Sequence, residues 1–157
     1  MSISASQSAR PVISQWLPRV IRLLAISFVL FFGAAIITDL SGLDRQGLSV
    51  PAGRLVLRLV RWGGIGGGGK HYELMISVVY AVWGIFLWKA ASSPLTHKLF
   101  LDFTMVANAA HFGLMLIQAI LMRGEHIHLV GDVLPGWVAL VALGLVWIPA
   151  RNKVLLL

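Results

Sequence analysis

Polar and small side chains recur at helical spacing in two apolar parts of the sequence. One set consists of Glu73, Ser77, Tyr80 and Gly84, and the other of Thr104, Asn108, His111, Met115, Gln118 and Met122. Residues three and four apart share one face of a helix, so each set forms a stripe. The stripes predict either interhelical hydrogen bonds or a binding site for a lipid, a quinone or a pigment. The candidate ligand-binding residues are Ser77, Tyr80, Asn108, His111, Met115 and Gln118.

Imidazole and carboxylate groups are concentrated in two other short segments. HYE begins at residue 71, and GEHIHLVGD covers residues 124–132. The candidate metal ligands are His71, Glu73, Glu125, His126, His128 and Asp132, with Asp39 expected at the same end of the molecule. Such groups suit zinc, copper, iron or manganese. A loop that carries polar residues only to remain hydrated explains the same pattern, and the spacing matches neither H-E-x-x-H nor Glu-x-x-His.

Three arginines recur at helical spacing in the segment PAGRLVLRLVRW. Arg54, Arg58 and Arg61 share one face, and aliphatic residues lie beside them. This pattern predicts a short amphipathic helix over residues 51–62 that lies in the lipid head-group layer, with the arginines toward the phosphates. A basic cover over the mouth of the protein is the alternative.

The glycine-rich segment after these arginines resembles a phosphate-binding loop only in part. The sequence GIGGGGK, residues 64–70, fits G-x-x-x-x-G-K, but His71 stands where that loop needs Ser or Thr to hold magnesium. A flexible hinge is therefore favoured, and neither nucleotide binding nor hydrolysis is expected.

His111 raises the question of a bound pigment or haem. Ala107 precedes it by four residues, a spacing with which light-harvesting helices ligate bacteriochlorophyll. Alanine at this distance is common in membrane helices, and His111 would be the single axial ligand of a haem. Neither cofactor is favoured.

The composition excludes a water-soluble protein. Of the 157 residues, 58% are hydrophobic and 12% are charged, and the mean hydropathy is +0.85. Soluble domains carry about 25% charged residues. The chain has no cysteine, which excludes disulfides, iron–sulfur clusters and thiol catalysis. In so apolar a chain, the formal net charge of +7 favours contact with anionic lipid over nucleic acid.

Four uncharged runs predict four membrane-spanning helices, near residues 20–40, 72–92, 99–123 and 135–151. The fold class is therefore all-α, a four-helix transmembrane bundle in a single membrane domain over residues 1–157. We expect the first run to be a retained span and not a cleaved signal peptide. Five tryptophans near the predicted borders are typical of an aromatic belt: Trp16, Trp62, Trp88, Trp137 and Trp147. Asp102 is expected to pair with Lys98 at the interface.

The orientation follows from the thirteen basic residues, each assigned to one side of the membrane. The side with both termini carries seven of them and the other side six. Because the first helix usually dominates, Arg10, Arg19 and Arg22 favour cytoplasmic termini. The expected location is the bacterial inner membrane.

The second half of the sequence resembles a family of small, uncharacterised bacterial four-span membrane proteins. The residues that carry the resemblance are His71-Tyr72-Glu73, Ser93-Pro94-Leu95-Thr96-His97, Ala110-His111, Gln118-Ala119 and Leu129-Val130-Gly131-Asp132. The resemblance covers residues 71 to about 150. It implies the fold and the membrane location, but no activity.

Two functions fit these observations. The first is an accessory or assembly subunit of a larger bacterial membrane complex, in contact with lipids and with other subunits or a second copy. It is favoured because no nucleophile–base–acid set appears in the sequence. The alternative is a metal-dependent membrane enzyme or carrier, in which His111 relays protons. A small-solute transporter is less favoured because the sequence has no internal repeat.

Overall fold

The computed structural model describes residues 12–47, 49–63 and 69–154, and in these ranges every regular element is a helix and no strand occurs. Six α-helices follow one another: α1 (Val12–Ser41), α2 (Leu43–Gly47), α3 (Pro51–Val60), α4 (Gly69–Ala90), α5 (Lys98–Leu121) and α6 (Leu134–Val154). A 3-10 turn, Pro94–His97, precedes α5, and a π-helix, Leu129–Val133, runs directly into α6.

Among the described residues, four segments are long and apolar enough to cross a membrane: Gln15–Ser41, Gly69–Ala90, Pro94–Leu121 and Leu129–Asn152. A helix satisfies its backbone hydrogen bonds within one segment, which hydrocarbon requires. The predicted all-α class with four spans is confirmed, and the chain is a multi-pass membrane protein. Large apolar side chains on every span are exposed, as expected for contact with lipid.

The most extensive packing between two helices is that of α1 with α4, where Gly84 lies against α1. A Cβ atom at Gly84 would come within 2.9 Å of Phe28 Cβ and of Val29 Cγ2. Helix α6 also packs on α1, and α5 packs on α6. Helices α4 and α5 approach each other through aromatic side chains, and the Trp83 and Phe103 rings stack with centroids 5.3 Å apart.

The apolar core lies at the end of the bundle where α1 begins and α6 ends, here called the terminal face. Ile21, Leu87, Leu101 and Leu143 are all buried there, and so is Trp147, at 1% exposure. The prediction that Trp147 belongs to an exposed aromatic belt is therefore wrong, because its ring fills this core.

Asp102 has a different partner from the one predicted. Trp147 Nε1 donates a hydrogen bond to Asp102 Oδ1 over 2.9 Å, and Arg151 Nε donates to Asp102 Oδ2 over 2.9 Å. The ion pair thus joins α5 to α6, and not Asp102 to Lys98 one turn away.

The opposite end of the bundle, here called the loop face, carries the short elements. Helices α2 and α3 follow the end of α1, and the π-helix lies next to α3. Gly131 of the π-helix is so close to α3 that a Cβ atom there would overlap the carbonyl oxygen of Leu59. Leu57 points into the protein, whereas Arg54 and Arg58 are exposed.

Candidate functional site

The end of α3 turns one arginine into the protein. The helix ends at Val60, and Arg61 has an extended backbone, with φ −101° and ψ 105°. Its backbone N–H still donates to the carbonyl of Leu57 over 2.8 Å. The change of backbone direction takes the side chain off the face of Arg54 and Arg58, and Arg61 is only 3% exposed.

The Arg61 guanidinium lies among three carboxylates from three different elements. Nη2 is 2.7 Å from Asp39 Oδ1 of α1, Nη1 is 3.4 Å from Asp44 Oδ2 of α2, and Nε donates to Glu73 Oε2 of α4. Lys70 Nζ is 2.8 Å from Asp44 Oδ2. We call these five side chains the ion cluster. It ties α1, α2, α3 and α4 together at the loop face.

The buried charges of the ion cluster support one another. Burial alone would raise the pKa of Asp44, but Lys70 and then Arg61 hold that pKa below its ordinary value. Burial opposes the charged form of Arg61, yet Glu73 and Asp39 raise the pKa of its guanidinium. Opposite charges at these distances favour the charged forms of both partners. The charged forms of Asp44 and Arg61 are therefore both favoured inside the cluster.

A second set of polar side chains lies beside the ion cluster. The Trp62 ring stacks on His128, with centroids 4.1 Å apart and planes 19° from parallel, and Trp62 Nε1 donates to Asp132 Oδ2 over 2.7 Å. His128 Nε2 is 3.2 Å from Glu125 Oε2, and Nδ1 is 3.4 Å from Asp132 Oδ1. We call these four residues the histidine group. It fastens the chain that follows α3 to the π-helix and to the loop before it.

The three arginines that were predicted to face the lipid head groups differ in their exposure. Arg54 and Arg58 are exposed on α3, as a head-group contact requires. The expectation for Arg61 is wrong, because its guanidinium is buried among carboxylates. Trp62, predicted for the aromatic belt, is half-buried and stacks on His128.

The six candidate metal ligands are divided among different partners. Glu73 belongs to the ion cluster, and Glu125, His128 and Asp132 belong to the histidine group. His71 and His126 are exposed. Within residues 12–47, 49–63 and 69–154, no three His, Asp or Glu side chains are arranged to hold a metal ion. The six side chains are therefore not gathered into one site at this face, and metal binding by them stays a prediction.

The two intramembrane stripes meet between α4 and α5. Tyr80 Oη donates to Asn108 Oδ1 over 3.3 Å, and Trp83 Nε1 donates to Thr104 Oγ1 over 3.0 Å. Asn108 Nδ2 also donates to the carbonyl of Thr104 over 2.8 Å. Ser77 is fully buried nearby, at 1% exposure. The polar side chains of α4 and α5 in this part of the interior therefore hydrogen-bond within the protein.

The remaining stripe residues are less enclosed. His111 is half-buried, and its ring lies 5.6 Å from the Tyr80 ring and 5.5 Å from the Phe112 ring. Met115 and Gln118, further along α5, are also half-buried. The contacts of His111 are thus with aromatic ring systems.

Three partners were not predicted from the sequence: Trp83 between the two stripes, and Asp44 and Lys70 in the ion cluster. Trp83 follows Tyr80 by three residues, so helical spacing could have placed it on the same stripe. Asp44 and Lys70 lie in short or glycine-rich segments, where no periodicity indicates the direction of a side chain.

We expect Gly131→Ala to lower the free energy of unfolding by about 1–3 kcal/mol, the cost typical of overpacking. Its new methyl group would overlap the Leu59 carbonyl oxygen and push α3 away from the π-helix. Denaturation by dodecyl sulfate in mixed micelles, followed by far-ultraviolet circular dichroism, measures the change, and trypsin should cut faster after Arg58.

The matched control for this substitution is Gly113→Ala in α5, where a Cβ atom meets nothing within 4 Å. Alanine favours helix over glycine by about 1 kcal/mol, so this variant should be as stable as the parent or more stable. Equal midpoints for the two variants would contradict the close contact at Gly131.

Comparison with known proteins finds one family. A family model described as a family of unknown function (DUF6632) matches residues 60–152, which is more than half of the chain. The match begins next to Arg61 and includes Glu73, both stripes and the histidine group. No curated protein and no solved structure matches the chain.

Proposed function

The chain belongs to this family of unknown function, DUF6632, and we propose that it is an accessory or assembly subunit of a larger membrane complex. It would act through contacts between its spans and the helices of other subunits or of a second copy. The observation that carries the proposal is the presence of open glycine positions within two spans, α1 and α5.

The open positions are at Gly33 and Gly113. A Cβ atom at either glycine would meet no heavy atom within 4 Å, so neither glycine serves a contact inside this bundle. Ala109 lies one helical turn before Gly113, which gives α5 a small-x-x-x-small pair. Membrane helices associate through small residues because their backbones can then approach closely. The surface of α5 around Gly113 is therefore suited to a further helix.

The interior supports the same proposal. Tyr80, Trp83, Thr104 and Asn108 hydrogen-bond with one another, as structural contacts between helices do. Binding of a lipid, quinone or pigment along the stripe stays a prediction. The metal-dependent alternative receives no support from the separated positions of its ligands, so we do not propose it.

The proposal is tested by extracting the protein from native membranes with a mild detergent and running it on a native gel. We expect it to migrate with other subunits or as an oligomer, and Gly113→Leu to reduce that association about tenfold or more by filling the open position. Ile117→Leu, at an exposed position one turn further along α5, should leave association unchanged.

A wild-type protein that migrates only as a monomer after mild extraction would refute the subunit role. Because Gly113 has no close neighbour and leucine favours helix over glycine, Gly113→Leu should not lower the unfolding midpoint of the separate protein. A loss of association without a lower midpoint would thus report the contact surface and not misfolding.

We propose the bacterial inner membrane as the location, with both termini in the cytoplasm. Arg19 and Arg22 are exposed near the start of α1, where basic residues favour retention on the cytoplasmic side. At the loop face, Arg61 and Lys70 are engaged by carboxylates of the ion cluster. Fusions of green fluorescent protein and of alkaline phosphatase to the C-terminus test the orientation. Fluorescence without phosphatase activity is the expected result, and the reverse would overturn it.

A further inference from the structure

A recess of about 320 Å³ opens on the loop face beside α3. It lies between the end of α3 and the loop that follows α5, and Arg58, Arg61, Glu125 and His128 form its polar lining. Sites for small molecules begin at about 300 Å³, so the recess has room for a small polar group. An amphipathic helix such as α3 lies at the depth of the lipid head groups.

The basic side of the recess offers one uncommitted cation. Arg61 is already surrounded by Asp39, Asp44 and Glu73. Arg58 is exposed, and no carboxylate of the described part of the chain lies within salt-bridge distance of it. A guanidinium binds phosphate with two parallel N–H donors, and such charge-assisted bonds are among the stronger hydrogen bonds. Arg58 is therefore free to hold a phosphate.

The acidic side of the recess offers one carboxylate over a buried imidazole. The Glu125 side chain is 13% exposed and lies 3.2 Å from His128 Nε2. His128 is 1% exposed, and its Nδ1 atom has no hydrogen-bond partner in the described residues. An ionised carboxylate accepts several hydrogen bonds, and one contact with His128 leaves capacity for an ammonium group.

One free guanidinium and one partly open carboxylate on the same recess match a ligand with one negative and one positive group. We propose that this recess binds the phosphoethanolamine head group of a membrane lipid, with the phosphate on Arg58 and the ammonium on Glu125. Choline has no N–H to donate to Glu125, and a glycerol head group has no positive charge. The recess should therefore discriminate among lipids that share the same phosphate.

The test is titration of the purified full-length protein, in non-ionic detergent, with dihexanoyl phosphatidylethanolamine, phosphatidylcholine and phosphatidylglycerol, followed by native mass spectrometry. We expect phosphatidylethanolamine to bind about tenfold more tightly than the other two, as one charge-assisted hydrogen bond provides. Arg58→Gln should weaken its binding about tenfold, and Glu125→Gln should remove the preference over phosphatidylglycerol. Arg45→Gln, at an exposed arginine of α2 that does not line the recess, is the matched control and should bind as the wild type does.

Three results would overturn the proposal. They are equal binding of phosphatidylethanolamine and phosphatidylcholine, binding of phosphatidylglycerol that is as tight or tighter, and unchanged binding in Arg58→Gln. Free glycerophosphoethanolamine should compete with phosphatidylethanolamine only at far higher concentration. Competition at equal concentration would show that the ligand is a soluble zwitterion and not a lipid. If Glu125→Gln fails to fold, two measurements still test the proposal. They are the comparison of the three lipids on the wild-type protein and the binding of phosphatidylethanolamine by Arg58→Gln, whose side chain is exposed.

Discussion

We expect Arg61→Met to lower the free energy of unfolding by about 3–5 kcal/mol, the cost of removing one partner from a buried ion pair. The substitution keeps the size of an unbranched side chain but removes the only guanidinium among Asp39, Asp44 and Glu73. Asp39 and Asp44 are 6% and 4% exposed, so water cannot replace the lost partner without opening the loop face. Lys70 is left as the single cation of the ion cluster.

Denaturation by dodecyl sulfate in mixed micelles provides the measurement, with far-ultraviolet circular dichroism as the signal. Arg58→Met is the matched control, because it removes an exposed arginine from the preceding turn of the same helix. Its midpoint should stay within about 0.5 kcal/mol of the parent, as for most surface substitutions. If Arg61→Met were as mild as this control, the buried ion cluster would not stabilise the fold.

We expect Trp147→Ala to lower the free energy of unfolding by roughly 3 kcal/mol, at the lower end of the range for buried tryptophan. The ring is fully buried in the core at the terminal face, and its loss leaves a cavity between α1, α5 and α6. When the parent protein unfolds within a membrane, the Trp147 side chain moves into lipid and not into water. The stability that Trp147→Ala removes therefore comes mainly from packing. The hydrogen bond to Asp102 is also lost.

Trp88→Ala is the matched control for this prediction, since Trp88 is 53% exposed on α4. It should change the unfolding midpoint little, and equal losses for the two tryptophans would contradict the core position of Trp147. Trp147→Phe keeps most of the apolar volume but has no N–H group. We expect it to cost about 1 kcal/mol, which separates the hydrogen bond from the cavity.

The long helices could be predicted from the sequence because hydrocarbon leaves the backbone little choice. Uncharged runs of sufficient length are enough to identify four spans, whatever their side chains contact. The arrangement of the spans was not accessible in the same way. Trp147 and Trp88 both lie near a predicted border, yet one is 1% exposed and the other 53%. This difference is produced by tertiary packing, which a local stretch of sequence does not indicate.

Arg61 shows why helical spacing failed at one residue. Arg54, Arg58 and Arg61 share a face only if the helix continues through all three positions. It ends at Val60, and the extended backbone at Arg61 turns that side chain inward. Prediction of element ends is uncertain by a few residues, and here a single residue separates a lipid-facing arginine from a buried one.

The candidate metal ligands do not come together as one set in the described residues, for an electrostatic reason. The sequence indicated which acids and histidines reach the loop face, but not which cations and rings meet them there. Glu73 pairs with Arg61, and Asp132 accepts a hydrogen bond from Trp62. Both partners come from the arginine-rich segment, whose contribution to the loop face could be seen only in three dimensions.

Arg61 lies between its partners in the chain, 22 positions after Asp39 and 12 before Glu73. On the ribosome, the first span is therefore complete before the arginine that pairs with Asp39 has been made. Neutralisation begins when α3 emerges, and it is finished only after the second span has started. The connecting segment thus carries the guanidinium that pairs with carboxylates of two neighbouring spans, and a nascent chain that stops before residue 61 lacks it.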